Sequence, residues 1–392
     1  MQSRSELPIP DDAALAHSAG VADLVRARLA DEGGWISFAD YMDLVLYAPG
    51  LGYYSAGAQK FGPAGDFVTA PGLGSLFARS LARVTAQVLD QLGDGVVLEV
   101  GGGTGALAAD LLWSLRTSPP RQYLLLEVSA DLRARQRARI AAQVPELLDR
   151  VQWLDHLPET PLKGVLIANE VLDALPTERF TMQAGRPRQL GVHLQAGEFA
   201  WSSVAAPAAL EAAVRAIEQD TGNRLPDGYS SEVSVRQPAW IASLAASLDQ
   251  GLALFTDYGY SRREYYHPQR TEGTLSCHYR HHWHADPFLL PGLQDITAWV
   301  DFSAAARAAV AAGLAVAAYA TQTHFLLATG ILQEMEPETS RARNQGEMLA
   351  MAAELRQLLM PGEMGERFKL LALSRDFEPA FELTVRDMRP GL

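Results

Sequence analysis

The stretch Val96–Leu112, "VVLEVGGGTGALAADLL", decides the fold class of this chain. It opens as a short apolar run of the kind that forms a buried strand, interrupted by the acid Glu99. Four glycines lie in the next five positions, and an apolar pattern with helical spacing begins at Ala106. Glycine accepts positive φ angles and lets a ligand approach the backbone closely, and a new helix presents unbonded N–H groups. The stretch therefore predicts a strand, a tight turn and a helix, with a ligand held against the turn.

The same alternation of short apolar runs and helical patterns continues to residue 170. Runs of this kind are typical of a parallel sheet covered by helices on both faces. Each predicted strand ends at a polar residue or pair of residues: Glu99, Glu127, Asp155 and Asn169-Glu170. Because ligands in open α/β sheets bind beyond the carboxyl ends of the strands, we expect these residues to line one site. The predicted fold class is α/β, a Rossmann-like core with a mostly parallel sheet.

The composition, 33 Lys and Arg against 46 Asp and Glu in 392 residues, gives a net charge of −13. Nucleic-acid affinity rests largely on cations that neutralise phosphates, so no nucleic-acid partner is expected. Cys277 is the single cysteine, which excludes an internal disulfide and suits a reducing compartment. The N-terminus lacks the apolar core of a secretory signal, and the longest apolar stretch, Ala304–Ala320, is interrupted by Arg307 and Gly313. We therefore expect a cytoplasmic protein without a membrane span.

The spacing of the glycines separates two kinds of cofactor site. Dinucleotide-binding turns read G-x-G-x-x-G and place a pyrophosphate on the helix N-terminus, whereas Gly101, Gly103 and Gly105 read G-x-G-x-G. The acid before the first glycine, Glu99, suits an ammonium group and suits a pyrophosphate badly. Glu127 can accept two ribose hydroxyls, but this feature does not discriminate between nucleoside cofactors. A dinucleotide site and a turn without a ligand stay open as alternatives at this point.

The pattern E-x-G-x-G-x-G resembles motif I of class I S-adenosylmethionine (SAM) methyltransferases, whose glycine loop abuts the amino-acid part of SAM. Beyond this motif, the chain resembles the MidA-like methyltransferases over roughly residues 35–375, with the motifs in the family's order. The family often has a proline in the glycine loop and aromatic residues where this chain has Val171 and Leu172, which could alter the acceptor pocket. The further motifs are "GDFVTAP", "LEVSADLRARQ", "NEVLDALP", "FTDYGY", "GTLSCHYRHHWHADPFLLPGLQDITAWVDF", "TQTHFLLATGI" and "MGERFKLLAL".

The resemblance implies a SAM-dependent enzyme whose partner is a protein substrate, because family members with assigned activity methylate an arginine of a respiratory complex I subunit. It also implies that the loop that contains Asp66 folds over the cofactor. From their positions at strand ends, Glu127 would accept the ribose hydroxyls and Asp155 would reach the adenine amino group. A turn role is the alternative for Asp66. The expected cofactor-binding residues are Glu99, Gly101, Gly103, Gly105, Glu127, Val128, Asp155, Asn169 and Asp66.

The segment Asn169–Pro176, "NEVLDALP", leaves the fourth predicted strand, at the edge that faces the methyl group in class I methyltransferases. A guanidinium has a pKa above about 12, so water does not deprotonate it, but a carboxylate can pair with its fork. We expect Glu170 to anchor an acceptor arginine, with Asn169 and Asp173 in support and Asp257 facing the acceptor from a later strand. The alternative is that Asn169 and Asp173 cap a turn or helix and that Asp257 serves a turn.

Two conspicuous polar runs invite functional interpretations that their spacing does not favour. The run "CHYRHHWHADP" crowds Cys277 and four histidines, at positions 278–284, but zinc sites usually need spaced pairs and four ligands. We expect no metal there and assign the histidines to a structural or acceptor-side loop. The run "RARQRAR", at residues 133–139, places its arginines on two helix faces and is expected to be a solvated surface.

The remaining patterns predict additions to the core. Helical spacing precedes a loop rich in glycine and proline near the N-terminus, and alternating residues with turn signals at Gly185 and Gly197 predict antiparallel hairpins. The expected domains are an N-terminal helical extension with a cofactor-covering loop at 1–90, the SAM-binding core at 91–178 and 250–392, and a hairpin and helix insertion at 179–249, with an acceptor-side loop at 261–301.

Two other functions compete with a protein arginine methyltransferase. The first is a non-catalytic assembly chaperone that keeps the fold and binds SAM, and the second is a NAD-dependent oxidoreductase. The intact glycine loop, Glu127 and the Asn169-Glu170 pair favour an enzyme over the chaperone. The glycine spacing disfavours the oxidoreductase.

Overall fold

The computed structural model describes residues 7–56, 69–335 and 345–392. The chain forms two compact units, whose bounds differ from those of the expected domains at residues 68–90, 172–178 and 238–249. Residues 76–90, assigned above to the N-terminal extension, belong to unit 2, because Phe77, Leu81 and Val88 are buried in its core. Unit 1 comprises Met1–Phe67, Leu172–Gln237 and Ser261–Asp301, and unit 2 comprises Val68–Val171, Pro238–Tyr260 and Phe302–Leu392.

Strands and helices are numbered here in chain order. The strands are β1 (Trp35–Ser37), β2 (Val96–Val100), β3 (Gln122–Leu126), β4 (Val151–Leu154), β5 (Leu162–Asn169), β6 (Glu178–Gln183), β7 (Arg186–Gln195), β8 (Glu198–Ala205), β9 (Ser230–Val233), β10 (Leu248–Tyr260), β11 (Ser276–Tyr279), β12 (His282–His284), β13 (Asp295–Thr297), β14 (Val300–Asp301), β15 (Ala315–Thr321) and β16 (Phe368–Arg375). The α-helices are α1 (Asp12–Asp31), α2 (Phe38–Tyr47), α3 (Ala70–Leu73), α4 (Leu76–Leu92), α5 (Ala106–Ser114), α6 (Ala130–Gln143), α7 (Ala208–Thr221), α8 (Gln237–Ala246), α9 (Arg262–Tyr265), α10 (Phe302–Ala311), α11 (Gln322–Ala328), α12 (Gln345–Leu359) and α13 (Met364–Arg367).

Unit 2 is built on a sheet with the strand order β15-β16-β10-β5-β2-β3-β4. Neighbouring strands are parallel, except that β16 runs antiparallel to β10 and to β15. The chain moves outward from β2 through β3 to β4 and then returns to β5 on the other side of β2. The strand order therefore reverses between β2 and β5, and such a reversal opens a ligand crevice at the carboxyl ends of these strands. The predicted α/β fold class is confirmed.

The two central strands are placed by their apolar residues. Every residue of β2 is buried, and β5 is buried from Gly164 to Ala168, so both strands need cover on both faces. Helices α4 and α5 pack on each other, and α5 supplies the fully buried Ala108 and Leu111 to the same core. Burying a leucine side chain contributes about 1.5–3 kcal/mol. This core holds the strand ends that carry the polar residues.

Unit 1 contains an antiparallel sheet of order β1-β7-β6-β9, with β8 added beside β7. Its two hairpins turn through Ala184-Gly185 and Ala196-Gly197, and all four residues have positive φ angles. Two-residue type I′ turns need this conformation, for which glycine is the usual residue. The predicted antiparallel hairpins are confirmed.

The region 261–301, predicted as a loop, contains α9 and a small sheet of order β12-β11-β13. The sequence did not reveal these strands, because strands of three or four residues are too short to show an alternating pattern. The hairpin between β11 and β12 also lacks the usual glycine signal. It turns through Arg280 and His281, whose φ angles of 47° and 65° are uncommon for residues with a side chain.

Candidate functional site

The glycine turn joins β2 to α5 where the strand order reverses. Gly101, Gly103 and Gly105 have φ angles of 72°, 49° and 78°, in the left-handed region that favours glycine. Gly105 has a second constraint, because a Cβ there would lie 2.9 Å from the Cα of Gln136 on α6. Within the described residues, no side chain caps the first turn of α5, so its N–H groups are available to a ligand.

Glu99 lies behind this turn and is 2% exposed. A Cβ added at Gly102 would lie 3.5 Å from Glu99 Oε1, and the Tyr123 hydroxyl donates to Oε2 at 2.5 Å. Burial raises the pKa of Glu99 to about 7, although the bond from Tyr123 lowers it, and the charge of Glu127 adds to the rise. No local sequence pattern pointed to Tyr123, and direct contact between Glu99 and SAM stays a prediction.

The raised pKa of Glu99 predicts a pH dependence of stability. Between pH 4.5, the ordinary value for this group, and about 7, the folded protein keeps a proton that the unfolded chain releases. The free energy of unfolding therefore falls as the pH rises through this window.

We expect Glu99→Gln, which keeps an acceptor for Tyr123, to remove up to about 3 kcal/mol of that fall. Denaturant unfolding below pH 4.5 and above about pH 7 measures this fall in the free energy of unfolding. The exposed Glu146→Gln is the control, and an unchanged fall in Glu99→Gln would contradict the prediction.

Glu127 follows β3 and is 8% exposed. Its Oε1 accepts the N–H of Ser129 at 2.9 Å, and its Oε2 accepts Nε2 of Gln136 at 3.2 Å. Burial raises the pKa of Glu127, while these two bonds and the charge of Arg133 lower it. A carboxylate has about four lone-pair sites, so each oxygen could still accept a second donor. Two adjacent ribose hydroxyls would donate to the two remaining lone-pair sites, one on each carboxylate oxygen.

Arg133 corrects the prediction that residues 133–139 form a solvated surface. Its guanidinium donates to the carbonyl oxygens of Glu127 at 2.5 Å and of Leu154 at 2.9 Å, and also to the Asp155 carboxylate. Arg133 therefore ties together the ends of β3 and β4. The exposed Asp155 remains the predicted partner of an adenine amino group.

Gln136, on the same helix, was also missed by sequence analysis. It is fully buried and reaches both the glycine turn and Glu127. The available signal was its spacing, because Leu132, Gln136 and Ile140 recur every four residues on one helix face. Beside Glu127, the apolar Val128 is 74% exposed, which leaves an apolar surface suited to a flat base.

Asn169 and Glu170 leave the sheet next to the glycine turn. Val100 pairs with Ala168, so the chain segments after β2 and β5 emerge side by side. A Cβ added at Gly101 would lie 3.0 Å from Cγ2 of Val171, so the segment after β5 packs against the turn. The topology thus brings these predicted site residues to one edge of unit 2.

Glu170 is held in an unusual conformation. Its φ angle is 53°, and its N–H donates to the carbonyl oxygen of Thr256 on β10 at 2.8 Å. Asn169 Nδ2 donates to Glu170 Oε1 at 3.1 Å, while the buried Asn169 Oδ1 has no hydrogen-bond partner among the described residues. A left-handed residue other than glycine persists where the surroundings enforce it, often at functional sites.

The two remaining predicted acids among the described residues lie in different units. Asp257 belongs to unit 2, is 1% exposed and accepts the N–H of Tyr258 at 2.9 Å. Strand β10 continues past Asp257 to Tyr260. Asp257 therefore lies within the strand, where it pairs with Lys369 on β16, and not at its end. Asp173 belongs to unit 1 and is 6% exposed. A turn rather than a helix follows it, so the helix-capping alternative does not apply.

Asp66 lies outside the described residues. Across 7–56, 69–335 and 345–392, no group of three or more His, Cys, Asp or Glu side chains is placed to hold a metal ion. In the histidine run, Cys277 is buried and pairs with His284 across the β11–β12 hairpin. His284 Nδ1 accepts the N–H of Asp286 at 3.3 Å, a local contact that holds this turn.

The chemistry of this edge fits SAM. The backbone donors of the turn could receive a carboxylate, and the buried, unpartnered Asn169 Oδ1 could accept from an ammonium. Glu127 could accept the ribose hydroxyls, and the exposed Val128 could contact the adenine. These assignments stay predictions residue by residue.

Comparisons with known proteins agree with this chemistry. Residues 80–320, more than half of the chain, match the family described as "Putative S-adenosyl-L-methionine-dependent methyltransferase". A similar protein comes from Burkholderia thailandensis, and its crystal structure contains bound S-adenosyl-homocysteine. Its sequence is 44% identical to this chain and its structure superposes with a TM-score of 0.92, covering 99% of this chain and 100% of that one. SAM is thus the cofactor, and the NAD-dependent and non-catalytic alternatives are set aside.

Curated relatives carry a more specific name. The chain is 29% identical to mouse protein arginine methyltransferase NDUFAF7, mitochondrial, covering 87% of this chain and 81% of that protein. It is 25% identical to the Drosophila melanogaster homologue, with 95% and 89% covered. Their mitochondrial names contradict the predicted cytoplasmic location, which was wrong. No helix in the described part of the chain is both long and apolar enough to cross a membrane.

The reversal between β2 and β5, the glycine turn and the matched family model lead to one conclusion. The chain belongs to the MidA-like family of SAM-dependent methyltransferases.

Proposed function

We propose that this methyltransferase modifies an arginine of a protein and that Glu170 binds the acceptor guanidinium. The observation that carries the proposal is the position of Glu170, a half-buried carboxylate in a left-handed conformation at the strand-order reversal. The names of the relatives support the substrate class, because they are protein arginine methyltransferases.

The task at an arginine is to make one nitrogen nucleophilic. A guanidinium stays charged at neutral pH, with a pKa above about 12, and its charge is delocalised over three nitrogens. A carboxylate that accepts two parallel N–H bonds orients the planar group and draws charge toward the paired nitrogens. Asn169 Nδ2 and the backbone bond to Thr256 set the orientation of Glu170 for this pairing. Bound SAM would supply the electrophilic methyl group. Attack by the nitrogen that is not paired with Glu170 would break the carbon–sulfur bond, leave S-adenosyl-homocysteine and release one proton from that nitrogen to solvent.

Supporting roles follow from burial and charge. We assign to Asn169 Oδ1, buried and without a partner in the described chain, the acceptance of one further N–H from a ligand. Asp257, also buried at this edge of unit 2, adds negative charge that favours a cationic acceptor. Asp173 in unit 1 is kept as a predicted supporting residue. The expected acceptor is a subunit of a complex I-type assembly or a similar protein, on the family resemblance alone.

Product analysis tests the proposal. The purified protein is incubated with radiolabelled SAM and an extract that lacks its own copy of the enzyme, and the labelled proteins are hydrolysed to amino acids. We expect the label in methylarginine, with at least about a hundredfold less label transferred by Glu170→Gln in the same time. Label recovered in methyl-lysine, in methyl esters or in a small molecule would overturn the arginine assignment.

A further inference from the structure

A fully buried amide connects the two parts of the predicted cofactor site. Gln136 on α6 donates from Nε2 to the carbonyl oxygen of Gly103 at 2.9 Å and to Oε2 of Glu127 at 3.2 Å. Its Oε1 accepts from the indole nitrogen of Trp153 on β4 at 2.8 Å. The Gln136 side chain thus connects three elements: the glycine turn, Glu127 at the end of β3, and Trp153 on β4.

The partners allow one orientation of this amide. The indole N–H of Trp153 can only donate, while the Gly103 carbonyl and an ionised Glu127 can only accept. A reversed amide would place its oxygen against two acceptors and its NH₂ group against a donor. Buried groups left without partners cost about 1–3 kcal/mol each, so the network enforces the orientation.

The backbone of α6 adds a second connection at the same residue. A Cβ added at Gly105 would lie 2.9 Å from Gln136 Cα and 3.2 Å from Gln136 Cβ. The last glycine of the turn therefore rests directly on this helix position. Displacement of α6 would move the glycine turn and the Glu127 carboxylate together.

We infer that Gln136 is a positioning residue for SAM, which holds the Glu127 carboxylate in the orientation that accepts the ribose hydroxyls. The inference rests on the proposed role of Glu127 as the ribose ligand. Gln136 occupies one lone pair of Oε2, and Ser129 occupies one of Oε1. These two bonds fix the plane of the carboxylate, so that its remaining lone pairs have a defined direction.

A cycle of variants and ligands tests this role. The ligands are S-adenosyl-homocysteine and its 2′,3′-dideoxy analogue, and calorimetry measures each affinity. Gln136→Met keeps the side-chain length but removes the hydrogen bonds. We expect it to lower the affinity for S-adenosyl-homocysteine about tenfold, as for loss of a bond to a charged group, and to leave the affinity for the dideoxy analogue nearly unchanged.

Gln143→Met is the matched control. Gln143 lies two turns further along α6 and donates to Asp110 Oδ1 at 2.5 Å, so the variant removes the same kind of bond away from Glu127. It should leave both affinities unchanged. Trp153→Phe provides a second test should Gln136→Met fail to fold, because it removes the donor that orients the amide. A smaller loss, again confined to the ligand with hydroxyls, is expected.

The outcomes separate the inference from the proposal beneath it. In the first case, Glu127→Ala loses affinity for S-adenosyl-homocysteine alone, which shows that Glu127 binds the ribose. If Gln136→Met and Trp153→Phe then lower the affinity for both ligands equally, the positioning role of Gln136 is wrong. If Glu127→Ala weakens both ligands equally, the ribose role of Glu127 itself fails. A hydroxyl-dependent loss in Glu127→Ala and in either network variant supports the inference.

Discussion

Glu170→Gln is expected to slow methyl transfer by at least about a hundredfold, within the range for a positioned acid or base. The amide keeps the size of the side chain and can still accept the hydrogen bond from Asn169 Nδ2. It has lost the charge that pairs with a guanidinium, so the acceptor is neither oriented nor polarised. Glu127 and the glycine turn are unaltered, so the affinity for S-adenosyl-homocysteine should not change. Single-turnover transfer at saturating SAM measures the rate, and calorimetry measures the affinity.

The matched control for this variant is Glu159→Gln. Glu159 is exposed and precedes β5, whereas Glu170 follows the same strand. The control should equal the parent protein in rate and in affinity. A Glu170→Gln protein as fast as the parent would remove Glu170 from the mechanism, and a joint loss of rate and affinity would assign it to the cofactor instead.

Glu127→Ala should lower the affinity for S-adenosyl-homocysteine about a hundredfold or more. Hydrogen bonds to charged groups contribute about 1.5–3 kcal/mol each, and a tenfold change corresponds to about 1.4 kcal/mol. Two hydroxyls on one carboxylate therefore account for a loss of this size. The parent protein should bind SAM and S-adenosyl-homocysteine but not NAD, because the glycine spacing does not suit a pyrophosphate.

Glu146→Ala is the comparison for this measurement, since Glu146 is exposed in the short helix Pro145–Arg150. Thermal unfolding without ligand shows whether the Glu127 variant remains folded. A folded Glu127→Ala protein with the affinity of the parent would exclude Glu127 from the cofactor site, and the search for the ribose ligand would move to Asp155.

Local patterns were enough to predict the elements that carry the site. The glycines follow the apolar run at 96–100 directly in the sequence. A cluster of glycines at such a position indicates backbone with positive φ angles, which Gly101, Gly103 and Gly105 adopt. The hairpins of unit 1 could be predicted for the same reason, because their turns contain glycine at Gly185 and Gly197. Acids at strand ends were visible because a charge stops an apolar run.

Contacts between distant residues could not be predicted in this way. Gln136 lies 33 residues from Gly103, and Tyr123 lies 24 residues from Glu99, so no local period reports their hydrogen bonds. The charges of residues 133–139 concealed the buried face of α6. The small sheet of residues 276–297 was hidden as well, because strands this short are stabilised by their neighbours rather than by their own propensity.

The chain of 392 residues thus specifies, through neighbouring residues, a strand, a glycine turn and a helix, with acids at the ends of parallel strands. Folding decides which of those acids are buried and how they are oriented. Glu99 is placed against Tyr123, Glu127 against Gln136, and Glu170 against Asn169. The physical reason is that a hydrogen bond depends on distance and angle between side chains, and the packing of whole helices against the sheet sets both.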